Sequence, residues 1–113
     1  MSIQRIETGA RMSQAVVHGS TAYLAGQVAK GASVTEQTSA ILAEIDRLLA
    51  AVGSDKTKLL STTIYLSDMS TFAEMNAVWD GWVAAGHTPA RATVEAALAT
   101  PEFKVEIVVV AAI

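Results

Sequence analysis

The stretch SVTEQTSAILAEIDRLLAAVG, residues 33–53, decides the fold. Ser33 followed three residues later by Glu36 has the pattern of a capping box, which opens a helix by satisfying its first free N–H groups. Ile41, Leu42, Ile45, Leu48, Leu49 and Val52 then recur at spacings of three and four, so they line one face of that helix. Gly53 is the residue type that accepts the left-handed backbone just past a helix end. Glu36, Glu44 and Asp46 form the solvated side.

Outward from this helix the period falls to two. Upstream, residues 3–6, 14–18 and 21–28 read as strands, the last two joined by a turn at Gly19-Ser20. Downstream, residues 54–58 form a short turn and residues 60–66 a strand, with Ser61, Thr63 and Tyr65 on one face and Thr62, Ile64 and Leu66 on the other. Asp68 or Ser70 caps a second helix that carries Phe72, Met75, Val78, Trp79, Trp82 and Val83 and ends at Gly86. Strands over about 91–98 and 103–111 close the chain. The order β-β-β-α-β-α-β-β predicts one α+β domain over residues 1–113, a mixed sheet with both helices on one face. The other face then needs a cover.

Composition points to that cover. Of 113 residues, 51% are apolar and only 17% charged, against ~25% charged in ordinary soluble domains. A surface this poor in charge predicts a subunit interface. The net charge of −3 and the scattered lysines and arginines argue against nucleic acid and anionic membrane as partners. The chain has no cysteine, which excludes disulfides, thiol nucleophiles and cysteine-ligated zinc and fits a cytoplasmic protein. MSIQRIETGA has no apolar signal core, and the apolar run 107–113 is too short to span a bilayer as a helix. GQVAKGAS imitates a phosphate loop, but Ala32 stands where Lys then Ser or Thr is required. No G-x-S-x-G occurs, and His18 and His87 have no ligand-like neighbours in sequence; both read as solvent-facing or capping residues.

Two charges stand out in the closing strands. TPARATVEA, residues 88–96, carries Arg91 at the entrance of an apolar strand, and FKVEIVVVAAI, residues 103–113, carries Glu106 among β-branched residues. An isolated charge in a strand built for burial is costly unless paired or used. On the residues alone two readings stay open. One is an Arg–Glu pair stitching strands or subunits. The other is an anion-binding guanidinium beside a carboxylate that handles water or a proton, since the planar fork of arginine matches a carboxylate with two parallel hydrogen bonds.

Taken together, YLAGQVA, GSDKTKLLSTTIYLSDMSTFAEMNAVWDGW and PARATVEAALATPEFKVEI resemble the RidA/YjgF family over nearly the whole chain, most closely its shorter RutC-like and YoaB-like members. The most specific part is the spacing of Arg91, Glu95 and Glu106. The resemblance implies a chorismate-mutase-like fold, a homotrimer with a cleft at each subunit interface, and hydrolysis of 2-imino or 2-enamino acids such as 2-aminoacrylate to 2-keto acids and ammonia. It implies no cofactor in the protein itself, and a functional link to the pyridoxal-phosphate enzymes that release such intermediates. On the matching positions, Arg91 is the carboxylate clamp and Glu106 positions the water.

The same resemblance places Asn76, Gly26, Thr93, Met12 and Trp79 around the substrate. Asn76 also fits a polar helix residue at an interface, Gly26 a strand bulge, and Trp79, like Trp82, a core or interface anchor. Thr93 falls where RidA has a cysteine, and Met12 where it has a pocket tyrosine. The segments 26–33 and 86–89 are short for the family, which bears on substrate choice. A non-catalytic homotrimer that binds or senses a small carboxylate in the same cleft is the competing class. A ribonuclease or translation inhibitor, also claimed within the family, sits poorly with the acidic pI of about 5.2.

Overall fold

The computed structural model describes residues 1–113. Its elements are β1 (Ile3–Thr8), β2 (Ser13–His18), β3 (Thr21–Leu24), α1 (Val34–Ala51), β4 (Leu59–Leu66), α2 (Phe72–Trp82), β5 (Ala90–Glu95) and β6 (Val105–Ala112). Short 3-10 turns at Lys56–Lys58 and Met69–Thr71 lead into β4 and α2. The six strands form one sheet in the order β1-β2-β3-β6-β4-β5. Every neighbouring pair is antiparallel except β4 and β5, which run parallel. A parallel pair needs a crossover, and α2 supplies it.

The ends of α1 follow from its residues. Ser33 Oγ accepts the Glu36 N–H at 3.1 Å. The Glu36 carboxylate reaches back to the Ala32 N–H, one residue before the partner that a capping box predicts. At the other end Gly53 adopts φ 80°, its N–H bonds Ala50 O, and the Ser54 N–H bonds Leu49 O. These two bonds are the Schellman closure, which only a residue without a Cβ enters freely.

Both helices pack on one face of the sheet. Along β6 burial alternates without a break, with Val105, Ile107, Val109 and Ala111 buried. These side chains share a core with Ile41, Leu42, Ile45, Leu48 and Leu49 of α1, and with Met75 and Trp79 of α2. Thr62, Ile64 and Leu66 of β4 are buried on the same face. The opposite face carries Val16, Val108 and Val110, all half-buried, and Tyr23, which is exposed.

Three elements are shorter than predicted. β3 stops at Leu24, because beyond it only Gln27 pairs, in an isolated bridge to Ile107. The Gln27 side chain turns inward to Gln14 Oε1 and Ala25 O. β5 stops at Glu95, where β4 also runs out; its last link is the Ala96 N–H to Leu66 O. α2 ends at Trp82 rather than near Gly86, because Val83 leaves the helical region with ψ 140°. Asp68 caps the preceding 3-10 turn through the Ser70 N–H, and the first residue before α2, Thr71, makes no side-chain cap.

Candidate functional site

Strand register decides where the two singular charges point. In the parallel pair, Thr62 lies beside Arg91 and Ile64 beside Thr93. Laterally paired residues share a face, and Thr62 and Ile64 face the helices, so Arg91 and Thr93 do too. In the antiparallel pair Ile64 meets Ile107 and Tyr65 meets Glu106. Glu106 therefore projects from the opposite, open face. The expectation of a strand-stitching Arg–Glu pair within one chain fails for this reason. Parity inside each strand is visible in a sequence; the register that relates the two strands is not.

The Arg91 side of the sheet is built by β5 and α2. The guanidinium carbon lies 5.4 Å from the ring centroid of Trp79 and 6.0 Å from that of Phe72. Both ion pairs of the chain belong to Arg47, with Glu7 and Glu44, so Arg91 enters none. Asn76 lies on the same stripe of α2, one turn after Phe72. Asn76 Oδ1, Thr93 Oγ1 and Thr62 Oγ1 are buried without a hydrogen-bond partner. Unsatisfied buried acceptors are costly; Thr62 pairs laterally with Arg91, and Thr93 follows it two residues on along the same face. Trp79 is only 5% exposed, so its ring is part of the floor beneath Arg91.

The Glu106 side is built by β6 and the segment after β3. A Cβ on Gly26 would lie 2.5 Å from Glu106 Oε2. The glycine thus lets the carboxylate lie against the backbone, which is a tighter requirement than a bulge. The Ala25 N–H to Gln14 O bond extends the β2–β3 ladder by one residue. Met12, in the β1–β2 turn, is 47% exposed and lines an open cavity of about 530 Å³ with Arg11 and Gln14, to which neither Gly26 nor Glu106 contributes. His18, at the end of β2, and His87, in the loop that leads into β5, are both exposed.

Two residues with a place in this arrangement went unassigned in the sequence. Glu95 accepts the Met69 N–H at 2.8 Å, tying the end of β5 to the turn that starts α2. Phe72 pairs with Trp79 around Arg91, and its only sequence signal is the spacing of seven that sets both rings on one helix face. The outer side of α2 is fixed separately: Trp82 Nε1 donates to Asp46 at 2.9 Å, and Lys56 Nζ donates to Trp82 O.

The six-stranded mixed sheet with two helices on one face is the chorismate-mutase-like α+β arrangement that the resemblance implied. The chain belongs to the RidA/YjgF family, and the family described as endoribonuclease L-PSP matches residues 2–113. It is 47% identical over 114 residues to a RutC family protein, YoaB, of Escherichia coli K12, covering 100% of both chains. It is 30% identical over 107 residues to a 2-iminobutanoate/2-iminopropanoate deaminase of Rattus norvegicus, covering 88% of this chain and 77% of that one. A solved structure of a YjgF family member from Neisseria meningitidis superimposes with a TM-score of 0.97 at 51% identity, covering 99% and 95% of the two chains.

Proposed function

We propose that the protein hydrolyses reactive 2-imino and 2-enamino acids to 2-keto acids and ammonia, at a site shared between copies of the chain. The observation that carries this reading is the guanidinium of Arg91, which enters no ion pair, on the strand face it shares with the partnerless Thr93 hydroxyl and on the side of the sheet that packs α2, where Asn76 Oδ1 also lacks a partner. An arginine fork without a carboxylate of its own is complementary to the carboxylate of a substrate. The deaminase name of the rat relative supports the same substrate class.

Arg91 and Glu106 leave one chain from opposite faces of the sheet, so a single ligand meets both only between two copies. The uncovered face with Val16, Tyr23, Val108 and Val110 supplies apolar surface for that assembly. The family resemblance supports three copies. In the trimer, Arg91 and Thr93 of one copy hold the substrate, with Asn76 behind them and Trp79 as floor. Glu106, Gly26 and Met12 of the next copy face it.

The chemistry asks little of the protein. A 2-enamino acid first takes a proton on carbon and gives one up from nitrogen to become the 2-imino acid. A water then adds to the imine carbon, and the Glu106 carboxylate takes the water's proton. That proton passes to the nitrogen to give the carbinolamine; the hydroxyl proton then follows it to the nitrogen by way of the same carboxylate, the C–N bond breaks, and ammonia leaves with the C=O bond formed. Orientation and one general acid–base suffice, so the proposed steps need no cofactor of the protein's own. Such substrates arise from pyridoxal-phosphate enzymes, and the cytoplasm is the compartment proposed for both. The net charge of −3 opposes a polyanionic RNA substrate.

The test is release of pyruvate from 2-aminoacrylate generated in the assay, for the wild type and for Glu106→Gln. Deamination expects the variant to keep pyruvate affinity and melting temperature while its rate falls by roughly 10²–10⁴. Wild-type protein that binds pyruvate without accelerating its formation would favour a carrier.

A further inference from the structure

A half-buried arginine ordinarily meets a carboxylate, because its charge is costly to desolvate alone. Arg91 meets two aromatic rings instead, at 5.4 Å and 6.0 Å. Phe72 and Trp79 are seven residues apart, two helical turns, so both rings stand on one face of α2 with the guanidinium seated between them. Ring faces attract a cation through their quadrupole and take none of its N–H donors. A carboxylate in the same place would occupy the donors that form the fork, and any incoming anion would have to displace it. The cradle is also rigid. Trp79 is almost wholly buried, Glu95 ties β5 to the start of α2, and Trp82 anchors the end of α2 to α1 through Asp46.

We propose that Phe72 and Trp79 are positioning residues, which hold the Arg91 guanidinium as a cation–π cradle and leave its donors free for a planar monoanion. The proposal rests on the deaminase reading for the identity of that anion. The cradle itself has a readout that needs no ligand.

Arginine side-chain NMR of the free protein supplies that readout. The Arg91 Nε–H signal, assigned by its loss in Arg91→Lys, is expected upfield of the ordinary position through the ring currents. It returns toward that position in Phe72→Leu. Pyruvate titrations by calorimetry then read the consequence. Phe72→Leu weakens binding about two- to thirtyfold, and Phe72→Tyr, which keeps the ring, restores it. Phe72 is 40% exposed, so the melting temperature stays near wild type, and a loss of affinity is then no packing defect. Trp79→Phe, which keeps an aromatic face in the core, is the control and is expected to bind pyruvate near the wild-type level. An unshifted Arg91 signal overturns the cradle. So does pyruvate affinity that stays at the wild-type level in Phe72→Leu. A shifted signal in a wild type that binds no pyruvate overturns instead the deaminase reading, and with it the role given to the cradle toward an anion.

Discussion

At the residue scale, Arg91 carries the heaviest demand. Hydrogen bonds to a charged group are worth about 1.5–3 kcal/mol each, so losing a two-bond fork in Arg91→Ala should cost roughly two to four decades in kcat/KM. Arg91→Lys should recover part of it, because a point charge cannot form the fork. Steady-state kinetics with 2-aminoacrylate check both, and near-normal turnover in Arg91→Ala would make the arginine structural. Gly26→Ala makes a narrower point. The new methyl would sit 2.5 Å from Glu106 Oε2, the mobile end of a side chain. The carboxylate swings aside, the fold survives, and the rate falls at least tenfold or so by misplacing the proton acceptor. A melting curve beside the rate separates this from unfolding. Both Arg91 and Glu106 were legible in the sequence as charges in apolar strands, although β5 is a mostly exposed edge that also carries Glu95. Their separation by the sheet was not, since it depends on the parallel register of β5 against β4. Phe72 was legible only as one more apolar residue of a helix, because nothing in the sequence announces that an arginine nineteen positions later lies over its ring.

At the element scale, the site depends on two loops that one buried side chain holds. Gln37, fully buried on α1, donates from Nε2 to Gly31 O and Glu102 O and accepts from the Lys104 N–H. It thereby fixes both the segment into α1 and the entry to β6, the strand of Glu106. Gln37→Leu keeps the bulk and strands three backbone groups. At about 1–3 kcal/mol for each unsatisfied group, urea denaturation should show a loss of about 3 kcal/mol or more. A loss under about 1 kcal/mol would mean those groups find other partners. The far end of the sheet has an electrostatic tie. Arg47 of α1 binds Glu7 of β1 at 2.8 Å, and its guanidinium holds the Glu7 carboxyl below its ordinary value of 4.5. A carboxyl depressed in the folded state stabilises above its unfolded pKa, and the gain is lost as pH falls through the folded value. The melting temperature of the wild type should therefore fall more steeply below about pH 4.5 than that of Arg47→Met, with the two curves parallel above it. Parallel curves throughout would show that the pair contributes nothing. α1 was legible because capping residues and apolar stripes are local, and it runs within a residue or two of its predicted ends; α2 was legible by its stripe, but it has no side-chain cap and ends four residues before Gly86. Strand ends were less so. β5 stops where β4 does, whereas β3 leaves the ladder while β2 and β6 run on, and a strand's pairing is a tertiary fact.

At the scale of the whole molecule, the apolar excess and the uncovered sheet face belong to the same account. One chain of 11.8 kDa carries half of the proposed site on each face of its sheet, and the proposed assembly would join the halves. Light scattering should accordingly give a mass about three times that of the chain. The most direct test of a deaminase site shared between copies is to mix two inactive proteins. Arg91→Ala keeps Glu106, and Glu106→Gln keeps Arg91. In randomly mixed trimers about a quarter of the interfaces join an intact arginine from one copy to an intact glutamate from the next. Unfolding the two variants together and refolding them should therefore restore about a quarter of the wild-type rate of pyruvate formation, while each variant refolded alone stays inactive. Mixed trimers that form, as seen by mass, and yet show no recovered rate would contradict the shared site.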